Sequence, residues 1–216
     1  MKPVASYVRD IIDESEVALD ALRDGILNLS AYAKKIRLEV SRRAKREVSL
    51  GTIVVALCRY EIDAKKRLPI CPKINIESIS TRSALAEVTF NKTNANRSKI
   101  RAIQENKKLS EADVLTIVSG VREISLIVPA ALTDELIKIF RNDEPTMVLK
   151  NLASITLQFS TKYINKPNTT FAMLRPLALQ RINIVEVVST YTELTVILAE
   201  KDLQLAFSVF STMPTA

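Results

Sequence analysis

Residues 118–129, VSGVREISLIVP, and residues 188–199, VSTYTELTVILA, are two copies of one pattern. Valine, serine and glutamate coincide, and apolar positions fall on apolar positions. A repeat of this kind constrains a fold more tightly than composition does, because both copies must build the same local structure. Their alternation and their Val, Ile and Thr content predict half-buried strands. AEVTF, 86–90, matches ITLQF, 155–159, in the same way. Helical stretches lie between: RSKIRAIQENKKL, TDELIKIF, NTTFAMLRPLALQRI and DLQLAFSVF, with Thr133 and Asp202 placed to cap two of them. Each unit reads strand, helix, strand, strand, helix, the order of the split βαβ, ferredoxin-like architecture.

The bookkeeping of strands then matters. TMVLK, 146–150, supplies a fourth strand to the first unit, whereas the second unit ends on a helix and lacks one. INIESIS, 74–80, stands unused at the front and can complete it, which would interleave the two units. A further likeness joins INIESISTRSALAEVTF, 74–90, to INIVEVVSTYTELTVIL, 182–198, and predicts the same hairpin at both places. In the second of these, Ile182, Ile184, Val187 and Val196 are expected in the core. Pro176 falls within a predicted helix, where it costs roughly 3 kcal/mol unless the helix kinks there or starts late enough to hold it in the first turn.

Residues 1–66 follow a helical period instead. Val4, Val8, Ile11 and Ile12 share one face, and Val17, Leu19, Leu22 and Ile26 suggest a second. Gly25 allows the left-handed turn that ends a helix. Ser30 is placed to restart one, with Leu29 before it as a staple, and Ser49 to cap LGTIVVALCRYEIDA, whose apolar run predicts a deeply buried helix. KKRLPICPK, 65–73, breaks the pattern with Pro69 and Pro72. The expected division is a helical module over 1–66, a first sheet unit over 73–150 (with 74–80 completing the second sheet) and a second unit over 151–213.

The 216 residues are 47% apolar, enough for real cores, yet no apolar run reaches the roughly 20 residues that span a bilayer. The first residues carry charge where a signal peptide would be apolar. A soluble, cytoplasmic protein with no membrane partner is expected. Cys58 and Cys71 make neither a disulfide framework nor a metal-site spacing, and Cys58 is expected as a buried thiol. There is no histidine, and Gly25, Gly51 and Gly120 are the three glycines, too few for a Walker loop or a dinucleotide fingerprint. These absences disfavour an enzyme and predict no cofactor and no metal site.

PNTTFAMLRPLALQRINIVEVVSTYTELTVIL, 167–198, resembles an ACT domain, with the regulatory ACT pair of aspartate kinases as the nearest flavour. The matching features are the loop Asn165 to Thr170, the helix Phe171 to Gln180, Ile182-Asn183-Ile184, the Ser189-Thr190 turn and Glu193. The resemblance covers about two thirds of the chain, and the 66 residues ahead of it could not hold a kinase domain. Taken with the helical period of residues 1–66, it implies an α+β fold, an N-terminal helical bundle followed by two interleaved ferredoxin-like (βαββαβ) ACT units. It also implies pairing with a second chain and binding of a small effector, an amino acid, with no catalysis. Carried over residue by residue, the effector site is Asn165, Lys166, Pro167, Asn168 and Thr169, with Val185, Glu186 and Val187 beside them. Glu186 would accept from an ammonium group, and the N–H groups around Asn168 would hold a carboxylate. Asn168 replaces the family's usual glycine; asparagine tolerates positive φ but adds bulk. The matching loop of the first unit, NKTNANR, has neither proline nor glycine.

The net charge of +7 is concentrated in KKIRLEVSRRAKR, 34–46. Lys34, Lys35, Arg37, Arg42, Arg43, Lys45 and Arg46 stand there against Glu39 alone. With Gly25 at a turn, the segment can be read as the second helix of a helix-turn-helix, winged-helix-like module that neutralises DNA phosphates. It reads equally as the solvated face of a bundle paired with Asp10, Asp13, Glu14, Glu16, Asp20 and Asp24. A protein-interaction module is the first reading and a DNA-binding regulator the alternative.

Overall fold

The computed structural model describes residues 2–66, 69–112, 114–141 and 143–214. Arg67 and Leu68 of the expected connecting segment lie outside the described residues. The chain forms two compact units, Met1–Pro72 and Lys73–Ala216.

The first unit is helical: α1 Val4–Asp13, α2 Glu16–Arg23, α3 Leu29–Ala44 and α4 Leu50–Ala64. Val4, Val8, Ile11 and Ile12 are the buried side chains of α1, as their spacing predicts. In α2 the buried pair is Ala18 and Leu22, while Val17 and Ile26 are 77% and 78% exposed. Helix α2 ends at Arg23, two residues before Gly25 with φ +72, so Ile26 leaves the helical face it was assigned to. The cap of α3 is Asn28, whose side chain accepts from Ala31 N–H at 3.0 Å, and Ser30 lies inside the first turn. Ser49 caps α4 as expected, accepting from Thr52 N–H. Such caps contribute about 1 kcal/mol each. Cys58 is exposed, with Val55 and Ile62 on the same side of α4, because the 15-residue helix buries one stripe through Ile53, Ala56, Leu57, Tyr60 and Ala64.

The second unit runs β1 Ile76–Asn91, α5 Asn94–Glu105, α6 Lys107–Ser110, β2 Thr116–Ser119, β3 Glu123–Pro129, α7 Thr133–Ile139, β4 Met147–Phe159, α8 Thr169–Leu179, β5 Ile184–Ser189, β6 Glu193–Ala199 and α9 Leu203–Ser211. Six antiparallel strands lie in the order β2-β3-β1-β4-β6-β5. The later part of β1 pairs with β3 and with the start of β4, which closes the first βαββαβ unit. The early part of β1, from Ile76 opposite Phe159 to Arg82 opposite Ser154, is the fourth strand of the second. Each long strand thus serves both halves, and each turns between them on one left-handed residue, Ala84 (φ 54) in β1 and Asn151 (φ 55) in β4. Leu85 and Leu152 are register partners beside these bends and pack with Ile127 and Ile197 on the face opposite the helices. Among the described residues, no helix is long and apolar enough to cross a membrane.

Several strand-level expectations change. Residues 74–90 form no hairpin. Ser80, Thr81 and Arg82 stay on the ladder with Thr156, Ile155 and Ser154, so the Ser-Thr pair that turns the chain at 189–190 lies mid-strand here. AEVTF aligns with residues 153–157 rather than 155–159. Phe90 pairs with Ile124 as Leu157 pairs with Leu194, and the hydroxyl bridge Thr89–Ser125 (2.9 Å) is repeated by Thr156–Thr195 (2.8 Å). A slip of two keeps every side chain on its face, so alternation alone cannot detect it. Ile182 and Val196 are buried, but Ile184 and Val187 are half-buried because β5 is an outer strand. Three-residue 3-10 turns, Ala130–Leu132 and Glu200–Asp202, feed directly into α7 and α9, so neither Thr133 nor Asp202 makes a side-chain cap. Thr133 Oγ1 donates to the Ala130 carbonyl instead. Pro176 is the eighth residue of α8, well past its first turn, and the helix ends three residues later.

Candidate functional site

The loop between β4 and α8 is built from its own backbone. Ser160 caps a 3-10 turn, Thr161–Tyr163, and Tyr163 is buried. The Thr169 hydroxyl lies 2.9 Å from the Lys166 carbonyl and 3.2 Å from that of Tyr163, which folds the loop back on itself. The Tyr163 hydroxyl accepts from Asn75 N–H, tying the loop to the strand that completes this half. Asn168 takes φ 65 at the start of α8, as expected of the residue standing in a glycine position, and its side chain makes no cap bond to the helix. The first-turn N–H groups of α8 therefore carry their partial positive charge toward whatever lies in front of them.

In front of them lies a cleft of about 490 Å³. Its floor is Phe159, Tyr163, Met173 and Leu194, all buried. Its rim joins Lys166, Asn168, Thr170 and Phe171 to the β5–β6 turn at Ser189, Thr190 and Tyr191. The Lys162 and Lys166 ammonium groups stand 5.1 and 5.2 Å from the centroid of the Tyr163 ring.

Of the residues expected to form an effector site, Lys166, Asn168 and Thr169 line this cleft together. Asn165 and Pro167 belong to the same loop but do not line it. Val185, Glu186 and Val187 lie in β5 and are not part of the lining. The cleft meets β5 only at its end, through Ser189. Val185 packs with Leu85 and Ile127, and Glu186 pairs with Ile197, on the face opposite the helices. There Glu186 is close enough for its charge to help raise the pKa of Glu87, whose 7% exposure is the larger cause, against a Ser125 hydrogen bond that lowers it. The aromatic members of the cleft were not visible as a set in the sequence. The signal that could have found them is length: nine residues separate β4 from α8, where two separate β1 from α5.

The basic segment is the greater part of α3, followed by a cap. Lys45 is left-handed (φ 53), and Lys45 and Arg46 N–H groups bond back to Arg42 and Ser41 carbonyls. Arg42 makes a two-pronged contact with Glu39 at 2.8 and 2.6 Å. Arg43 reaches Glu39 at 2.6 Å and holds both carboxylate oxygens of Glu14, on the link between α1 and α2, at 2.9 Å. Hydrogen bonds from Arg42 and then Arg43 push the Glu39 carboxyl down to about 2, and the bond from Arg43 lowers Glu14. Arg37 donates to the Val48 carbonyl at 3.2 Å. Lys34 and Arg37 line a groove of about 480 Å³ with Leu38, Ser41, Glu47 and Leu50. Lys35 stands 5.9 Å from the Tyr32 ring.

An antiparallel six-stranded sheet made of two interleaved βαββαβ units is the ACT-type fold of aspartate kinase regulatory regions. The regulatory subunit of aspartate kinase from Thermus thermophilus, in its ligand-free form, superposes with a TM-score of 0.52 at 10% identity, over 64% of this chain and 97% of that one. Its counterpart from Thermus flavus gives 0.52 at 10%, over 63% and 97%. Clostridium acetobutylicum aspartate kinase, described as an allosteric enzyme, gives 0.53 at 14%, over 67% of this chain. The chain spans only 36% of that enzyme's length. No protein-family model matches the sequence. No curated protein matches it either.

Proposed function

We propose that this chain is a non-catalytic, cytoplasmic regulatory protein whose second half senses a small carboxylate-bearing effector, an amino acid or its deaminated relative. The cleft beside α8 carries this reading, since it joins a positive helix end, one lysine and an aromatic floor in a space suited to a small ligand. The outer strands β2 and β5 each leave one unpaired edge, and covering such an edge with a second copy would make a homodimer. The helical unit would pass the bound state to a protein partner. Arg42 and Arg43 are engaged with Glu39 and Glu14, and Arg37 donates through Nε to the Val48 carbonyl, which leaves the DNA-binding alternative chiefly Lys34, Lys35, Lys45 and Arg46.

A thermal-shift screen of the twenty amino acids tests the sensing role. A ligand at a hundred times its Kd stabilises the folded state by about 2.7 kcal/mol, which is readily seen. A flat screen across all twenty, together with no binding by their deaminated analogues, removes it. No gel shift is expected even at low salt; a shift that falls steeply with salt and is lost on reversing Lys34, Lys35, Lys45 and Arg46 to Glu would favour DNA instead.

A further inference from the structure

We infer that the cleft recognises its ligand by a carboxylate joined to an apolar body of aromatic size, and that it makes no use of an ammonium group. The inference rests on the reading of the cleft as an effector site and specifies what that site selects.

The charge balance of the lining carries it. Lys166 is the one charged side chain among the described lining residues, and no aspartate or glutamate joins it. The positive end of α8, an 11-residue helix, adds to the same sign. The Thr170, Ser189 and Thr190 hydroxyls stand on the rim and can donate to an anion. A ligand ammonium placed here would meet Lys166 and the helix end with no carboxylate to neutralise it. Glu186, the residue best suited to that task from sequence, sits on the opposite face of the sheet with Glu87. A single lysine with no arginine suits a monoanion better than a phosphate dianion.

The apolar half of the lining sets the rest of the ligand. Phe159, Tyr163, Met173 and Leu194 form a floor, and Phe171 and Tyr191 flank the mouth. Tyr191 is 80% exposed at the tip of a turn, where an aromatic ring has no packing role in the free protein. A ring entering the cleft would give Tyr191 and Phe171 a partner.

Calorimetric titration of the full chain with 3-phenylpropionate, L-phenylalanine and phenethylamine tests this directly. The expected order is 3-phenylpropionate tightest, phenylalanine at least about fivefold weaker, and phenethylamine without measurable heat. Lys166→Ala should lose about tenfold in affinity for 3-phenylpropionate, the scale of one charged hydrogen bond, while Lys166→Arg keeps most of it. Lys166 is exposed, so both variants should melt with the parent. If any amino acid binds more tightly than its deaminated analogue, or phenethylamine binds, or Lys166→Ala binds as the parent does, the ligand class is wrong while the effector reading stands. If none of the three probes binds and the twenty amino acids are also silent, both readings fall.

Discussion

The two halves of the sheet share a topology and differ at the loop after their first strand. In the first half that loop is short, and Lys92 closes it. The Lys92 ammonium donates to the Gly120 carbonyl at 2.5 Å and stitches the loop to the hairpin turn, whereas the Lys92 N–H bond to the Arg122 carbonyl (2.7 Å) is common to both halves, matched by Phe159 N–H to the Thr192 carbonyl (2.9 Å). The Asn96 side chain, almost fully buried, donates to the Asn91 carbonyl and fills the space behind. In the second half a longer loop swings outward on Tyr163, and the hairpin turn stands apart from it across the cleft. The same fold thus carries a short, stitched loop in one half and a longer loop bordering a cleft in the other. The two halves differ here in loop length and in one lysine, not in their strands.

The cores differ as well, and the largest expected effect lies there. Phe90 and Phe140 stack at 3.8 Å between centroids, with Lys99 5.3 Å from the Phe140 ring and bonded to Asp143. The matching positions of the second half are Leu157 and Phe210, so its buried phenylalanine has no such stacked ring at that place. Phe140→Ala and Phe210→Ala should each cost about 3–5 kcal/mol in urea unfolding. The first should exceed the second by about 0.5–1.5 kcal/mol, the worth of an aromatic pair beyond its area. Equal losses would show that stacking adds nothing to the first half.

What could be read from the sequence, and what could not, follows from the same physics. The hairpins 116–129 and 184–199 were legible because alternation, a turn and a repeated glutamate all agree. The face of α1 was legible because four apolar residues sit at helical spacing. Strand pairing was not. A period of two fixes which face a residue takes but not its partner, so residues 74–90 read as a hairpin when they are one strand shared by two halves. The cleft was half legible: Lys166, Asn168 and Thr169 came from one continuous segment, while Phe159, Phe171 and Tyr191 each look like ordinary core or turn residues until the loop brings them together.

A smaller effect separates the two bends. Ala84 and Asn151 occupy equivalent left-handed positions, and both are exposed, so substitution there disturbs little packing. Left-handed backbone costs a residue with a Cβ roughly 1–2 kcal/mol, while glycine adds about 0.5–1 kcal/mol of unfolded-state entropy. Ala84→Gly should therefore raise stability by about 0.5–1 kcal/mol. Asn151→Gly should change it by no more than a few tenths, because asparagine already tolerates this region. A destabilised Ala84→Gly would mean that the bend is held by something other than backbone preference.

The smallest expected effect distinguishes Glu87 from its counterpart Ser154, both buried and both opposite an isoleucine, Ile127 and Ile197. Burial raises the Glu87 carboxyl above its ordinary value; a Ser125 hydrogen bond works against this, and the charge of Glu186 works with it. One carboxylate oxygen of Glu87 is buried without a hydrogen-bond partner. The folded state thus holds the proton more firmly than the unfolded chain does. Stability contributed by protonated Glu87 is fully present below the unfolded carboxyl value, about 4.3, and is lost as pH rises through the raised folded value. Glu87→Ser, which writes the second half's residue into the first, should flatten that decline without altering the slope on the acid side. Urea midpoints at half-unit steps upward from pH 4 would show it. A variant that declines as steeply as the parent over that window would place the titrating group elsewhere, with Glu186 as the next to replace.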